Sequence, residues 1–103
     1  MLYKFRSKAA GDLIMLGPTG DQLLRIIGKE PAPKGIIEPV AMPAAIAALE
    51  KAVADEEAVR AQAESEGAPP RREGFISLRQ RAWPLVEMLR RAHDSDHEIV
   101  WGV

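Results

Sequence analysis

The stretch DLIMLGPTGDQLLRIIG, residues 12–28, decides the fold class of this chain. Its first part, Leu13 to Leu16, is an unbroken apolar run, which is typical of a strand that is apolar on both faces. A Gly-Pro-Thr-Gly segment interrupts the run, and Leu23, Leu24 and Ile27 then recur at helical spacing. A strand that leads through a turn into a helix predicts a mixed α and β fold.

The boundaries of this first helix follow from end signals. Thr19 can accept hydrogen bonds from the first turn and Gln22 can reach back to it, which together form a capping box. Gly28 and Pro31 supply a left-handed stop and a helix breaker. The sequence therefore predicts a helix over residues 19–27.

The same glycines raise the question of a phosphate-binding loop. The segment lacks the lysine and hydroxyl of a Walker loop, and the dinucleotide fingerprint G-x-G-x-x-G is absent. Asp21, which we expect in the first turn, would repel an anion there. The loop is therefore interpreted as a structural joint.

Strands are predicted at both ends of the chain. Leu2 to Ser7 alternates, with Tyr3 and Phe5 on one side, and forms a hairpin with residues 12–16. The segment EIVWGV, residues 98–103, also alternates and predicts a C-terminal strand. A three-stranded sheet is the economical assembly.

Two longer helices are expected between these strands. Pro43 suits a first helical turn and precedes an apolar stripe, which predicts a helix over about 43–63. A second capping box, Ser77 with Gln80, begins a helix over about 77–93, in which Pro84 predicts a kink or break near Ala82. The fold class is thus α+β, with the small three-stranded sheet packed mainly on one face by three helices.

Length and composition predict one domain over residues 1–103, with the proline- and charge-containing segment 65–76 as a flexible linker. A net charge of -1 gives no overall attraction to nucleic acid or to an anionic membrane, and the longest uncharged run, residues 39–49, is too short to cross one. The absence of cysteine excludes disulfides and thiolate chemistry, and the mixed N-terminus does not look like a secretory signal. We expect a cytoplasmic protein.

Four blocks of the chain resemble a catalogued family. They are MLYKFRSKAAGDLIML at the start, PAAIAALEKAV from Pro43, SLRQRAWPLVEMLRRA from Ser77, and the closing VWGV. Their order and spacing resemble an uncharacterised bacterial family, domain of unknown function 1840. The resemblance implies a small single-domain cytoplasmic protein with no assigned activity, cofactor or catalytic residue, so it identifies no functional residue.

The segment 71–91 carries six arginines against two glutamates. Its candidate partner-binding residues could present guanidinium and indole groups to RNA, to a phosphate-bearing ligand or to an acidic partner. In the alternative interpretation, the arginines only solvate a helix face or pair with acids of the helix 43–63. The candidates are Arg79, Arg81, Trp83, Arg90 and Arg91.

Catalytic and metal chemistry have little support. His93 and His97 in HDSDH are weak metal candidates, because they fall where a helix is expected to end and no third group of ligands accompanies them. No serine lies in a G-x-S-x-G motif. The sequence predicts no catalytic residue and no cofactor, and it does not decide whether the protein is an enzyme.

Two functions follow from these observations. The first is an interaction or accessory domain that forms a homodimer, because the run Leu13 to Leu16 needs a cover on its second face and Trp83 lies off the core stripe. The alternative is a nucleic-acid or phosphate-ligand binding module that uses residues 71–91. The identity of a protein partner is not predicted.

Overall fold

The computed structural model describes residues 1–70 and 75–102. It contains four strands, three α-helices and a 3-10 turn at Pro39–Ala41. In chain order the strands and α-helices are β1 (Leu2–Ser7), β2 (Ala10–Leu16), α1 (Gly17–Ile26), β3 (Gly35–Ile37), α2 (Met42–Ser65), α3 (Leu78–Asp94) and β4 (Ile99–Trp101). The predicted α+β class with three helices is confirmed.

The sheet has four strands in the order β2-β1-β4-β3, and all neighbours are antiparallel. The predicted three-stranded sheet is wrong, because β3 adds a strand beside β4, with Ile37 opposite Ile99. Three residues between prolines are too few to show a period-two pattern, and their pairing depends on the distant β4. Gly35 lies against the Trp101 ring, where any Cβ would collide with the indole.

The alternation of side chains gives the sheet two unlike faces. Tyr3 and Phe5 of β1 are buried, as predicted, together with Ile99 and Trp101 of β4. This inner face packs on a core built from all three helices, with α1 and α3 against the sheet and α2 against both of them. No helix covers the opposite, outer face among the described residues, so the molecule has two layers.

The first helix begins earlier than predicted. It starts at Gly17, directly after β2, and the residue at its N-cap is Leu16, which makes no side-chain cap. The Thr19 and Gln22 capping box is therefore wrong, because Pro18 already suits the first turn and β2 leads straight into it. Asp21 consequently lies in the second turn. The left-handed stop is confirmed at Gly28, with φ of +86°.

The third helix matches its predicted start. Gln80 N–H donates to Ser77 Oγ at 3.2 Å and Ser77 N–H donates to Gln80 Oε1 at 3.0 Å, so this capping box is confirmed. The helix runs without a break past Pro84. A break near Ala82 is therefore wrong, because Ala82 and Leu85 are fully buried on either side of the proline and core packing holds the helix together. A kink there stays a prediction.

The second helix extends slightly beyond its predicted range. It ends at Ser65, and Gly67, with φ of +93°, follows. Ala68 N–H donates to the Ala63 carbonyl at 2.9 Å, which satisfies a terminal acceptor. The flexible linker predicted over 65–76 falls partly outside the described residues, at positions 71–74, and stays a prediction.

Candidate functional site

Arg79 is engaged by a carboxylate of the neighbouring helix. Its Nε and Nη2 atoms each donate to Glu57 at 2.8 Å, one to Oε2 and the other to Oε1. This two-pronged geometry matches the planar fork of the guanidinium. The pairing raises the pKa of Arg79, mainly through the hydrogen bond to Glu57. Arg79 is therefore held in place and neutralised by α2.

Arg90, near the C-terminal end of α3, is held in a similar way. Its Nη2 donates to Glu50 of α2 at 3.3 Å, and Nη1 lies 3.7 Å from Glu87. Its guanidinium also lies over the Trp83 ring, 5.2 Å from the ring centroid. Trp83 is 41% exposed, which agrees with its predicted position off the core stripe. The pair forms a cation–π contact at the surface.

Arg81 faces a different part of the molecule. Its Nη1 donates to Gln22 Oε1 of α1 at 2.7 Å, whereas its Nε is buried and has no hydrogen-bond partner in the described part of the chain. The side chain thus links α3 to α1. Arg91 is exposed, and its guanidinium makes no hydrogen bond or ion pair with any described residue.

These positions do not form one basic surface. Two of the arginines face acids of α2, one faces α1, and one points into solvent. Pairing with acids of α2 is the alternative interpretation that the sequence left open. Whether these arginines are free or paired depends on how α2 is rotated relative to α3. The sequence pattern of one helix does not contain that information.

The histidines lie at the end of α3. His93 is exposed in the last turn, with Nδ1 3.9 Å from Asp94 Oδ1, and His97 lies past the helix end. Asp96 between them has a φ of +56°, so the backbone turns there. Within residues 1–70 and 75–102, no three His, Asp or Glu side chains converge as a metal site would require.

The outer face of the sheet carries exposed apolar side chains. Leu2 of β1 lies directly opposite Leu16 of β2, and Ile14 stands two residues along β2 on the same face. They are 63%, 66% and 58% exposed, respectively. We call these three residues the outer patch. Sequence reasoning anticipated the β2 half of it from the doubly apolar run but did not single out Leu2.

Charged residues lie beside the outer patch on the same face. Asp12 Oδ2 lies 3.5 Å from Lys4 Nζ, and Asp12 Oδ1 lies 3.9 Å from Arg6 Nε. Farther across the sheet, Ile36 is 42% exposed opposite Val100. The face therefore combines exposed apolar area with charges of both signs.

The strand β2 is also the long edge of the sheet. It has seven residues, and in the described part of the chain it pairs only with β1. Its residues include no proline, and Asp12 is its only charge. Proteins usually protect such edges with charges, proline or a bulge, because unpaired N–H and C=O groups invite another strand.

The inner face contains one notable polar pair. The Tyr3 hydroxyl donates to Asp21 Oδ1 across the β1–α1 contact. Burial, and secondarily the hydrogen bond to Asp21, raises the pKa of Tyr3 to about 12. Gly20 makes the contact possible, because a Cβ at this position would collide with the Tyr3 ring. The pair positions α1 on the sheet.

The architecture defines a two-layer α+β domain, with helices on one sheet face and, on the other, the outer patch, which no described helix covers. No helix of the described residues has the length and apolar character that a membrane crossing requires. The chain belongs to the family described as a domain of unknown function (DUF1840), whose model matches residues 1–101. No curated protein and no solved structure gives a significant match to the chain.

Proposed function

We propose that this protein is a cytoplasmic interaction domain that binds a second copy of itself through the outer patch. The observation that carries the proposal is the cluster of Leu2, Ile14 and Leu16, each more than half exposed on a sheet whose other face packs against the helices. Contiguous exposed apolar side chains on a small domain mark an interaction surface. The absence of cysteine suits a reducing compartment.

The energetics favour a weak, reversible dimer. Covering the exposed part of each patch side chain stabilises by about 1 to 2 kcal/mol, so two facing patches contribute about 6 to 12 kcal/mol. Association costs on the order of 4 to 15 kcal/mol in lost freedom. The difference between the two ranges is at most about 8 kcal/mol, which corresponds to a micromolar dissociation constant, so we expect a dimer no tighter than that and not a permanent assembly.

Charge on the outer face supports self-association over a nucleic acid. Lys4 and Arg6 share the single carboxylate of Asp12 on the same face, so these three side chains leave a net charge of only about +1 to attract a polyanion. In a twofold dimer each copy brings the same mixture of signs, and rotation of one copy allows opposite charges to meet.

The oligomeric state in solution tests the proposal. Sedimentation from low to several hundred micromolar protein should show a reversible shift from monomer to dimer. Ile14→Lys should abolish the shift, because it places a charge in the middle of the patch. Val40→Lys is the matched control, since Val40 is 84% exposed but lies outside the outer patch. A monomer at every concentration would refute the proposal.

The alternative is a nucleic-acid or phosphate-ligand module that uses residues 71–91. It is supported by Arg91, which is exposed and whose guanidinium makes no hydrogen bond or ion pair with any described residue. A salt titration against single-stranded RNA separates it from self-association. Binding that weakens steeply with salt and disappears in Arg91→Gln would favour the alternative.

A further inference from the structure

A small pocket lies between α2 and α3, away from the outer patch. Its volume is about 140 Å³. Leu49 and Val53 of α2 and Ala82 and Val86 of α3 line it, and none of the four is more than 7% exposed. The pocket floor is therefore part of the apolar core, yet it opens to the surface.

The side and rim of the pocket add specific chemistry. The Trp83 indole forms one wall and is 41% exposed, so the mouth reaches solvent beside it. Arg79 and Glu50 stand at the rim. Both are already engaged, Arg79 with Glu57 and Glu50 with Arg90. Because the rim charges are neutralised within the chain, the pocket has no free charge to offer an ionic ligand.

The volume of the pocket limits its occupant to one small group. An apolar protein cavity of about 150 Å³ stays dry and takes up benzene, so a space of this size suits a single six-membered ring. An aromatic ring can also stack in an offset or edge-on manner on the Trp83 indole. Ala82 is the smallest residue in the lining, so a larger side chain at this position would reduce the space.

We propose that this pocket binds one small, uncharged aromatic ring, with the Trp83 indole as its wall. The proposal does not depend on self-association, because the outer patch lies on the far side of the sheet. It therefore holds equally for the Ile14→Lys variant, which allows the two proposals to fail separately.

Nuclear magnetic resonance of the two tryptophan side-chain N–H groups tests the proposal, with benzene as the probe. The Trp83 signal should shift in a saturable manner as benzene is added. The Trp101 signal should stay in place, because its Nε1–H donates to the Ala32 carbonyl at 2.9 Å inside the fold. Inorganic phosphate and acetate at the same concentrations should leave Trp83 unchanged.

Two variants make the test specific to the pocket. Ala82→Leu fills the floor and should weaken the benzene response at least tenfold, whereas Ala47→Leu adds the same atoms at an exposed position of α2 and should bind benzene like the wild type. If Ala82→Leu does not fold, Val53→Leu fills the pocket from α2 and decides the question. The proposal is overturned if Trp83 shows no saturable shift, if the filled variant responds like the wild type, or if phosphate shifts Trp83 more than benzene does.

Discussion

Both faces of the sheet carry large apolar side chains at β1 and β2, but among the described residues the helices cover only one face. Phe5 on the inner face is fully buried under the helices, whereas Ile14 on the outer face is 58% exposed. The two positions are close in the same hairpin. The difference shows that apolar character alone does not tell whether a side chain belongs to the core or to an exposed surface. What matters is whether a helix packs over that face of the sheet.

The arginines of α3 extend this lesson to charge. Arg79 and Arg90 are conspicuous in the sequence, yet acids of α2 engage both. The outer patch has no comparable cover among the described residues. The proposed interaction surface is therefore chosen by which side chains remain exposed and not by residue type.

The largest expected effect separates the two faces by stability. Phe5→Ala should lower the free energy of unfolding by about 3 to 5 kcal/mol, because it leaves a cavity in the core. Ile14→Ala should change it by less than about 0.5 kcal/mol in the monomer, because the side chain is largely in water. Chemical denaturation at low protein concentration measures both values. If both variants lose the same free energy of unfolding, the two faces are not buried to different extents and the comparison is wrong.

A glycine pair tests how closely the helices approach the inner face. Gly20→Ala should cost about 1 to 3 kcal/mol, because the added methyl group would overlap the Tyr3 ring. Gly11→Ala in β2 is the control, since no atom lies within 4 Å of its new Cβ. Thermal unfolding of the two variants provides the comparison. If Gly20→Ala is as stable as Gly11→Ala, the close packing of α1 on β1 is wrong.

The polar contact on the covered face gives a pH signature. Tyr3 is the only tyrosine, so ultraviolet absorbance follows it alone and should show half-titration at about pH 12. The pKa of Tyr3 in the folded protein is raised above 10, the value for an unfolded chain. The contribution of the protonated Tyr3 hydroxyl to the free energy of unfolding is therefore present below pH 10 and is lost as the pH rises toward 12. Asp21→Asn should lower the pKa only part of the way, since burial is the main cause. A wild-type value of 10 would show that Tyr3 is not buried.

The smallest effect is expected at the arginine surface. Arg79→Gln should leave the melting temperature nearly unchanged, because exposed ion pairs contribute little to stability. The same variant should leave the concentration-dependent dimer unchanged in sedimentation, because Arg79 is not in the outer patch. If Arg79→Gln loses the dimer while Ile14→Lys keeps it, the interface lies on α3 and not on the outer patch.

Local signals predicted much of the fold. The alternation around Tyr3 and Phe5 located β1, and the Ser77 and Gln80 pair located the start of α3. Each signal lies within one element and needs no knowledge of the rest. The predicted helix start at Thr19 was wrong because two start signals lie within three residues. The helix instead begins at Gly17, with Pro18 in its first turn directly after β2.

The remaining features depend on contacts between distant segments. Three residues of β3 become a strand only because β4 pairs with them, and neither segment encodes the strand order. The partners of Arg79 and Arg90 depend on how α2 and α3 rotate against each other. The outer patch was half visible in the apolar run of β2, but Leu2 joined it only through the register of the hairpin.

The most direct test of the account measures which methyl groups become shielded as the protein concentrates. A soluble paramagnetic agent broadens exposed methyl signals, and its effect on Leu2, Ile14 and Leu16 should fall progressively with increasing protein concentration. The methyl groups of Val40, 84% exposed outside the patch, should remain fully accessible throughout. Unchanged accessibility of the outer patch across a concentration range in which the protein dimerises would contradict the central claim.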